Sequence, residues 1–77
     1  MKEILEVILA GLVENIDSIT ILEKETGNLT EIEVKIPEED MGRVIGKQGK
    51  TANAIRTLMK SLAGRERKKI SIEFECK

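Results

Sequence analysis

Apolar residues at Ile4, Leu5, Ile8, Leu9, Leu12 and Val13 recur at three- and four-residue steps, the period of an amphipathic helix. Gly11 falls inside this pattern, and Asn15 to Ser18 read as its exit. The period then changes. Ile19 and Ile21 alternate with Thr20 and Leu22 in a short β-rich run, with Leu22 off the inward register. Thr26-Gly27-Asn28 is a turn signal. Beyond it, Ile32, Val34 and Ile36 alternate with Glu31, Glu33 and Lys35, which predicts a strand with one buried face. The two runs should form an antiparallel hairpin.

Pro37 ends that strand and suits the start of a helix, where Glu38, Glu39 and Asp40 complement the positive end of the helix dipole. Met41, Val44 and Ile45 share one face of this short helix. Gly46-Lys47-Gln48-Gly49 interrupts it, and a longer helical pattern resumes with Ala52, Ile55, Leu58, Met59 and Leu62, expected to stop at Gly64. The last run sets Ile70, Ile72 and Phe74 against Ser71, Glu73 and Glu75. The order is α-β-β-α-α-β in a single domain, 1–77. This is an α+β fold with a three-stranded mixed sheet and all three helices on one face. Thr20, Glu31, Glu33, Lys35, Ser71, Glu73 and Glu75 would face water on the other. The link from the second strand through two helices to the third is a crossover, so those strands, as neighbours, would run parallel.

Size and composition narrow the chemistry. For 8.6 kDa, area scaling gives about 4,700 Å² exposed when folded against about 12,500 Å² unfolded, enough for one small core. With one Phe and neither Trp nor Tyr, that core must be aliphatic. The absence of His and the single Cys76 remove zinc sites, disulfide frameworks and Cys-His or Ser-His catalysis, and no cofactor is expected. The run from Val7 to Val13 is too short to span a bilayer, and Met1-Lys2-Glu3 lacks the basic start of a secretory signal. No membrane association is expected, and a soluble, cytoplasmic protein is.

The net charge of −1 conceals an asymmetry. Residues 1–40 hold eleven acids against three lysines, a net −8, while residues 41–69 hold nine bases against Glu66 alone, a net +8. Such polarity can present a positive face to a polyanion on a protein of ordinary isoelectric point. Arg65, Arg67, Lys68 and Lys69 within the basic half read as a solvated loop before they read as a contact.

The glycine pair at 46 and 49 carries the most information. Without Cβ atoms the backbone can bend sharply and a ligand's backbone can come close. Lys47 and Gln48 would project from the tip, Lys50 adds charge, and the next helix offers its N-terminal amides to an anion. Gly42 has two readings, close helix packing or room for a ligand. The sequence Gly49-Lys50-Thr51 is not a nucleotide-binding P-loop. That motif needs a glycine where Val44 stands, and it follows a strand, whereas this loop follows a helix. The Glu residues are dispersed, so no acid-base pair stands out, and no catalytic activity is expected.

Val44-Ile45-Gly46-Lys47-Gln48-Gly49-Lys50-Thr51-Ala52 resembles the signature of the KH RNA-binding domain, and the element order resembles its type II arrangement across nearly the whole chain. Gly42-Arg43-Val44-Ile45 and Ala54-Ile55-Arg56 are similar to small bacterial proteins that consist of one KH domain. Ala52 stands where many KH domains place a larger aliphatic residue, and Ile55 should supply the bulk.

The resemblance implies a groove for about four nucleotides of single-stranded RNA. Gly42, Arg43, Ile45, Gly46, Lys47, Gln48, Gly49, Lys50 and Arg56 would line it, with Ala52 on the same helical wall. The second strand and the turn at Gly27 and Asn28 would form the other wall, with bases resting on aliphatic surface that includes Ile45 and finding hydrogen bonds along the strand edge. It also implies self-association or pairing with another KH-containing protein. The implied role is post-transcriptional, RNA chaperone-like regulation of bacterial growth and cell shape. Two other readings stand beside it, a protein-interaction or dimerisation module and a single-stranded DNA binder.

Overall fold

The computed structural model describes residues 2–77. Helix α1 (Lys2–Ala10) is followed by a single 3₁₀ turn at Ile16–Ser18 and by strands β1 (Thr20–Thr26) and β2 (Leu29–Ile36). Helices α2 (Glu38–Ile45) and α3 (Lys50–Arg65) come next, with a 3₁₀ turn at Lys47–Gly49 between them, and strand β3 (Lys69–Cys76) closes the fold. The sheet order is β1-β2-β3. β1 runs antiparallel to β2, from Thr20 opposite Lys35 to Thr26 opposite Leu29, and β3 runs parallel to β2, with Ile32 beside Ile72. This is the expected α-β-β-α-α-β architecture, including the parallel neighbours joined by the helical crossover.

Period-two alternation sorts the sheet into two faces. Ile32, Val34, Ile36, Ile70 and Ile72 are buried on the inner face, together with Leu5 and Leu9 of α1, Val44 of α2, and Ile55, Met59 and Ala63 of α3. Ala52 and Ile55 are both buried, so the small residue at 52 leaves the helix well seated. The outer face shows Glu31, Glu33, Ser71, Glu73 and Glu75 to solvent, with Thr20 and Lys35 half-buried. Gly27, at φ 60°, takes the first of two central positions in the β1–β2 turn, where a primed hairpin turn requires a positive φ. Among the described residues, no helix is long and apolar enough to cross a membrane.

Three elements depart from the periodic reading. Helix α1 ends at Ala10 rather than running to Val13: the amides of Gly11 and Leu12 make i→i−3 bonds, to Ile8 O at 3.2 Å and Leu9 O at 2.9 Å, which tighten the last turn and close the helix. Gly11, the poorest helix former of the segment, marks that point. Asn15 then caps the 3₁₀ turn, its Oδ1 accepting from Asp17 N–H at 3.0 Å. Leu58 was expected in the core but is 47% exposed, because the buried stripe of α3 runs through Ala52, Ile55, Met59 and Ala63. Finally, α3 passes through Gly64 and ends one residue later, with its left-handed cap at Arg67, φ 58°.

Candidate nucleic-acid interface

The Gly46–Gly49 loop joins two helices at a backbone bend built from positive φ angles. Gly46 (φ 76°), Gln48 (φ 55°, ψ 27°) and Gly49 (φ 75°, ψ 13°) all lie in that half of conformational space, with only Lys47 between them outside it. Gly46 is required twice over. Its φ disfavours any side chain, and a Cβ there would lie 2.9 Å from Thr51 Cβ and 3.0 Å from Thr51 N, and closer still to Thr51 Oγ1. Gly49 is needed for its φ, since a Cβ would meet nothing nearer than Asn53 Nδ2 at 3.8 Å. Gly46 N–H closes α2 by donating to Gly42 O at 3.0 Å, and Gly49 serves as the N-cap of α3.

The bend carries its polar groups outward. Lys47, Gln48 and Lys50 are exposed, and neither lysine forms an ion pair among the described residues. No side chain caps the first turn of α3, so its leading amides and positive dipole end, immediately behind the loop, are bonded to no capping side chain. Ile45 and Gly46 are half-buried at the base of the loop. Gly42, one turn back along α2, is exposed, and a Cβ placed on it would meet nothing within 4 Å. Helix packing therefore does not demand glycine at 42.

Of the nine residues singled out by sequence, seven are contiguous and two arginines are held by other partners. Gly42, Ile45 and residues 46–50 are contiguous along the end of α2, the loop and the start of α3. Arg43 is turned to carboxylates: Nη2 lies 3.7 Å from Glu14 Oε1 and Nη1 3.6 Å from Asp40 Oδ1. Arg56 is turned to β3, where Nε donates to Ile72 O at 3.1 Å. Its Nη1 donates to Asn53 Oδ1 at 3.3 Å, and its Cζ lies 5.2 Å from the centroid of Phe74. Thr51, Asn53 and Phe74 were not singled out by sequence. The three-residue spacing of Asn53 and Arg56 on one helical face was the available signal for the second of them.

The strand wall also differs from the expectation. β2 is the central strand, with both edges taken up by ladder bonds, so it has no free edge to offer a base. The open edges belong to β1 and β3, and it is β3 that α3 lies against. The Gly27-Asn28 turn is joined to the start of β3, because Asn28 O accepts from Lys69 N–H at 2.8 Å.

Comparison with known proteins gives consistent matches over nearly the whole chain. The family model described as KhpA/KhpB, KH domain, matches residues 2–74. The chain is similar to a protein named RNA-binding protein KhpA from Caldanaerobacter subterraneus subsp. tengcongensis, 44% identical over 96% of this chain and 99% of that one. It is also similar to proteins of the same name from Clostridium perfringens, 42% identical over 96% and 99%, and Listeria monocytogenes serovar 1/2a, 40% identical over 96% and 97%. No solved structure gives a significant match.

Proposed function

The chain belongs to the KhpA/KhpB KH-domain family, and from that membership we propose that it is a non-catalytic module that grips about four nucleotides of single-stranded RNA through the 46–49 loop. The observation that carries the reading is the solvent-facing bend with unpaired Lys47 and Lys50 at the uncapped start of α3. A sugar-phosphate chain laid across it meets backbone amides, two ammonium groups and the Gln48 amide, with no side chain at 46 or 49 to hold it off. Ile45 supplies apolar surface for a base, and the open space over Gly42 lets the strand approach α2. Arg43 adds charge beside the bend, partly offset by Glu14 and Asp40. Arg56 bounds the groove toward the free edge of β3. The aliphatic composition supports this mode over aromatic stacking surfaces.

So small a footprint gives modest affinity, which pairing with a second KH module would raise through effective concentration. The names of the relatives support RNA as the ligand, and the family's joint name supports a second KH protein as a partner. A cytoplasmic, RNA chaperone-like role in post-transcriptional regulation of growth and cell shape completes the proposal.

The test is the double substitution Lys47→Asp and Gln48→Asp. Asp tolerates the left-handed region at 48, so the circular dichroism spectrum should be unchanged. Fluorescence anisotropy with a short single-stranded RNA should show binding lost, and unaltered binding would remove the loop from the site. Competition by DNA of the same sequence decides whether the 2′-hydroxyl is recognised.

A further inference from the structure

The second basic cluster of the chain, which reads from sequence as a solvated loop, is a closed and strained turn. Arg67 N–H donates to Gly64 O at 3.1 Å and Lys68 N–H to Ala63 O at 2.9 Å, the bond pair of a Schellman cap. Such a cap puts one residue in the left-handed region, usually glycine, and here that residue is Arg67 at φ 58°. The next amide, Lys69 N–H, bonds Asn28 O, so the turn is fixed to the β1–β2 hairpin as well as to α3.

Beside this turn an open hollow of about 310 Å³ is lined by Lys60, Lys68, Lys69 and Ile70. Residues 60–69 carry five bases and the single acid Glu66. None of the five bases is ion-paired among the described residues, in contrast to Arg43 with its two carboxylates. A helix C-terminus favours nearby cations, which accounts for Arg65 in the last turn and Arg67 in the cap beyond it. It does not account for three lysines from a helix, a turn and a strand lining one hollow, where they repel each other until an anion sits between them.

We propose that this hollow is a second phosphate-binding subsite for single-stranded RNA, at the end of α3 opposite the glycine loop. The inference rests on the RNA reading of that loop. The 16 residues of α3 separate the two ends by about 24 Å. A strand held at both must therefore extend past the segment gripped at the bend, and α3 becomes the ruler that sets the footprint.

The experiment measures binding of oligouridylates of four and ten nucleotides, at several salt concentrations, to wild type and to the triple variant Lys60→Ala, Lys68→Ala, Lys69→Ala. The variant should hold the four-nucleotide probe as wild type does. With about two phosphate contacts fewer on the ten-nucleotide probe, its log–log salt slope should be shallower by about 1.4. Wild type should accordingly lose about sevenfold more affinity than the variant for the long probe between 50 and 200 mM salt. Arg67→Gly separates the turn from the lysines: it relieves the left-handed position without touching the residues that line the hollow. It should leave the melting temperature unchanged or raised and the long-probe slope as in wild type. A slope reduced as far as in the triple variant would overturn the lysine assignment. A triple variant identical to wild type on both probes, or one that loses both equally, overturns the second subsite. Wild type that binds neither probe overturns the RNA reading of the loop and this inference with it. Binding of the short probe with an unchanged slope on the long one overturns this inference alone.

Discussion

At the scale of single residues, the glycines of this chain separate into those that the fold requires and one that it does not. Gly46 sits at positive φ with Thr51 where a side chain would go. Gly46→Ala should therefore cost about 2 kcal/mol of stability, from left-handed strain and displacement of Thr51. Gly42 lies within α2 facing open space, so Gly42→Ala should stabilise the helix by up to about 1 kcal/mol. If that space belongs to a nucleic-acid strand, the same alanine should weaken RNA binding several-fold. Thermal unfolding and anisotropy on the two variants check both directions. An alanine at 42 that leaves affinity unchanged would mean the strand passes elsewhere. The loop residues were legible in the sequence because two glycines at this spacing between helical patterns have few other uses. For Arg43, pairing with the acidic half was an open reading: Asp40 lies three residues back on the same helix, whereas Glu14 as the second partner was not legible, because it arrives from the segment after α1.

Among the elements, α3 does the most to position the site: its start bears the bend, its buried stripe seats it in the core, and Arg56 ties it to β3. The alternating strands and the β1–β2 hairpin were legible because a period of two leaves little freedom in register. The end of α3 was not. Gly64 is tolerated inside a helix, and the reversal was taken up at Arg67, a residue with no sequence signal for positive φ. Leu58 was misplaced because Leu58 and Met59 are adjacent apolar positions, and only one of them can face the sheet. The partner of Arg56 is a backbone carbonyl, which no pattern of side chains reveals. Arg56→Lys keeps the charge but cannot reproduce the planar fork that reaches Ile72 O, Asn53 and the Phe74 ring together. It should lower stability by about 1 kcal/mol in chemical unfolding. A lysine variant as stable as wild type would reduce Arg56 to a solvated charge.

Across the whole molecule the split in charge becomes a split in space. The acid-rich half of the chain builds α1, the hairpin and the first turn of α2, while the basic half builds the loop, α3 and the start of β3. β1 is an open edge, and Glu23, Lys24 and Glu25 along it discourage pairing with another strand. Residues 41–69, from within α2 to the start of β3, hold nine bases against Glu66 alone, whereas Glu73 and Glu75 lie further along β3. A protein with a net charge of −1 can thus present a basic face, and binding there should be steered by local field rather than by total charge. The most direct measurement is an amide-resolved magnetic resonance titration of the isotopically labelled chain with a four-nucleotide single-stranded RNA. The largest shifts are expected at Gly42 and from Ile45 through Asn53, with the outer sheet residues Glu31, Glu33, Glu73 and Glu75 unmoved. Shifts centred on the sheet face or on α1, with the amides of 46–50 unchanged, would contradict the assignment of the bend as the binding site.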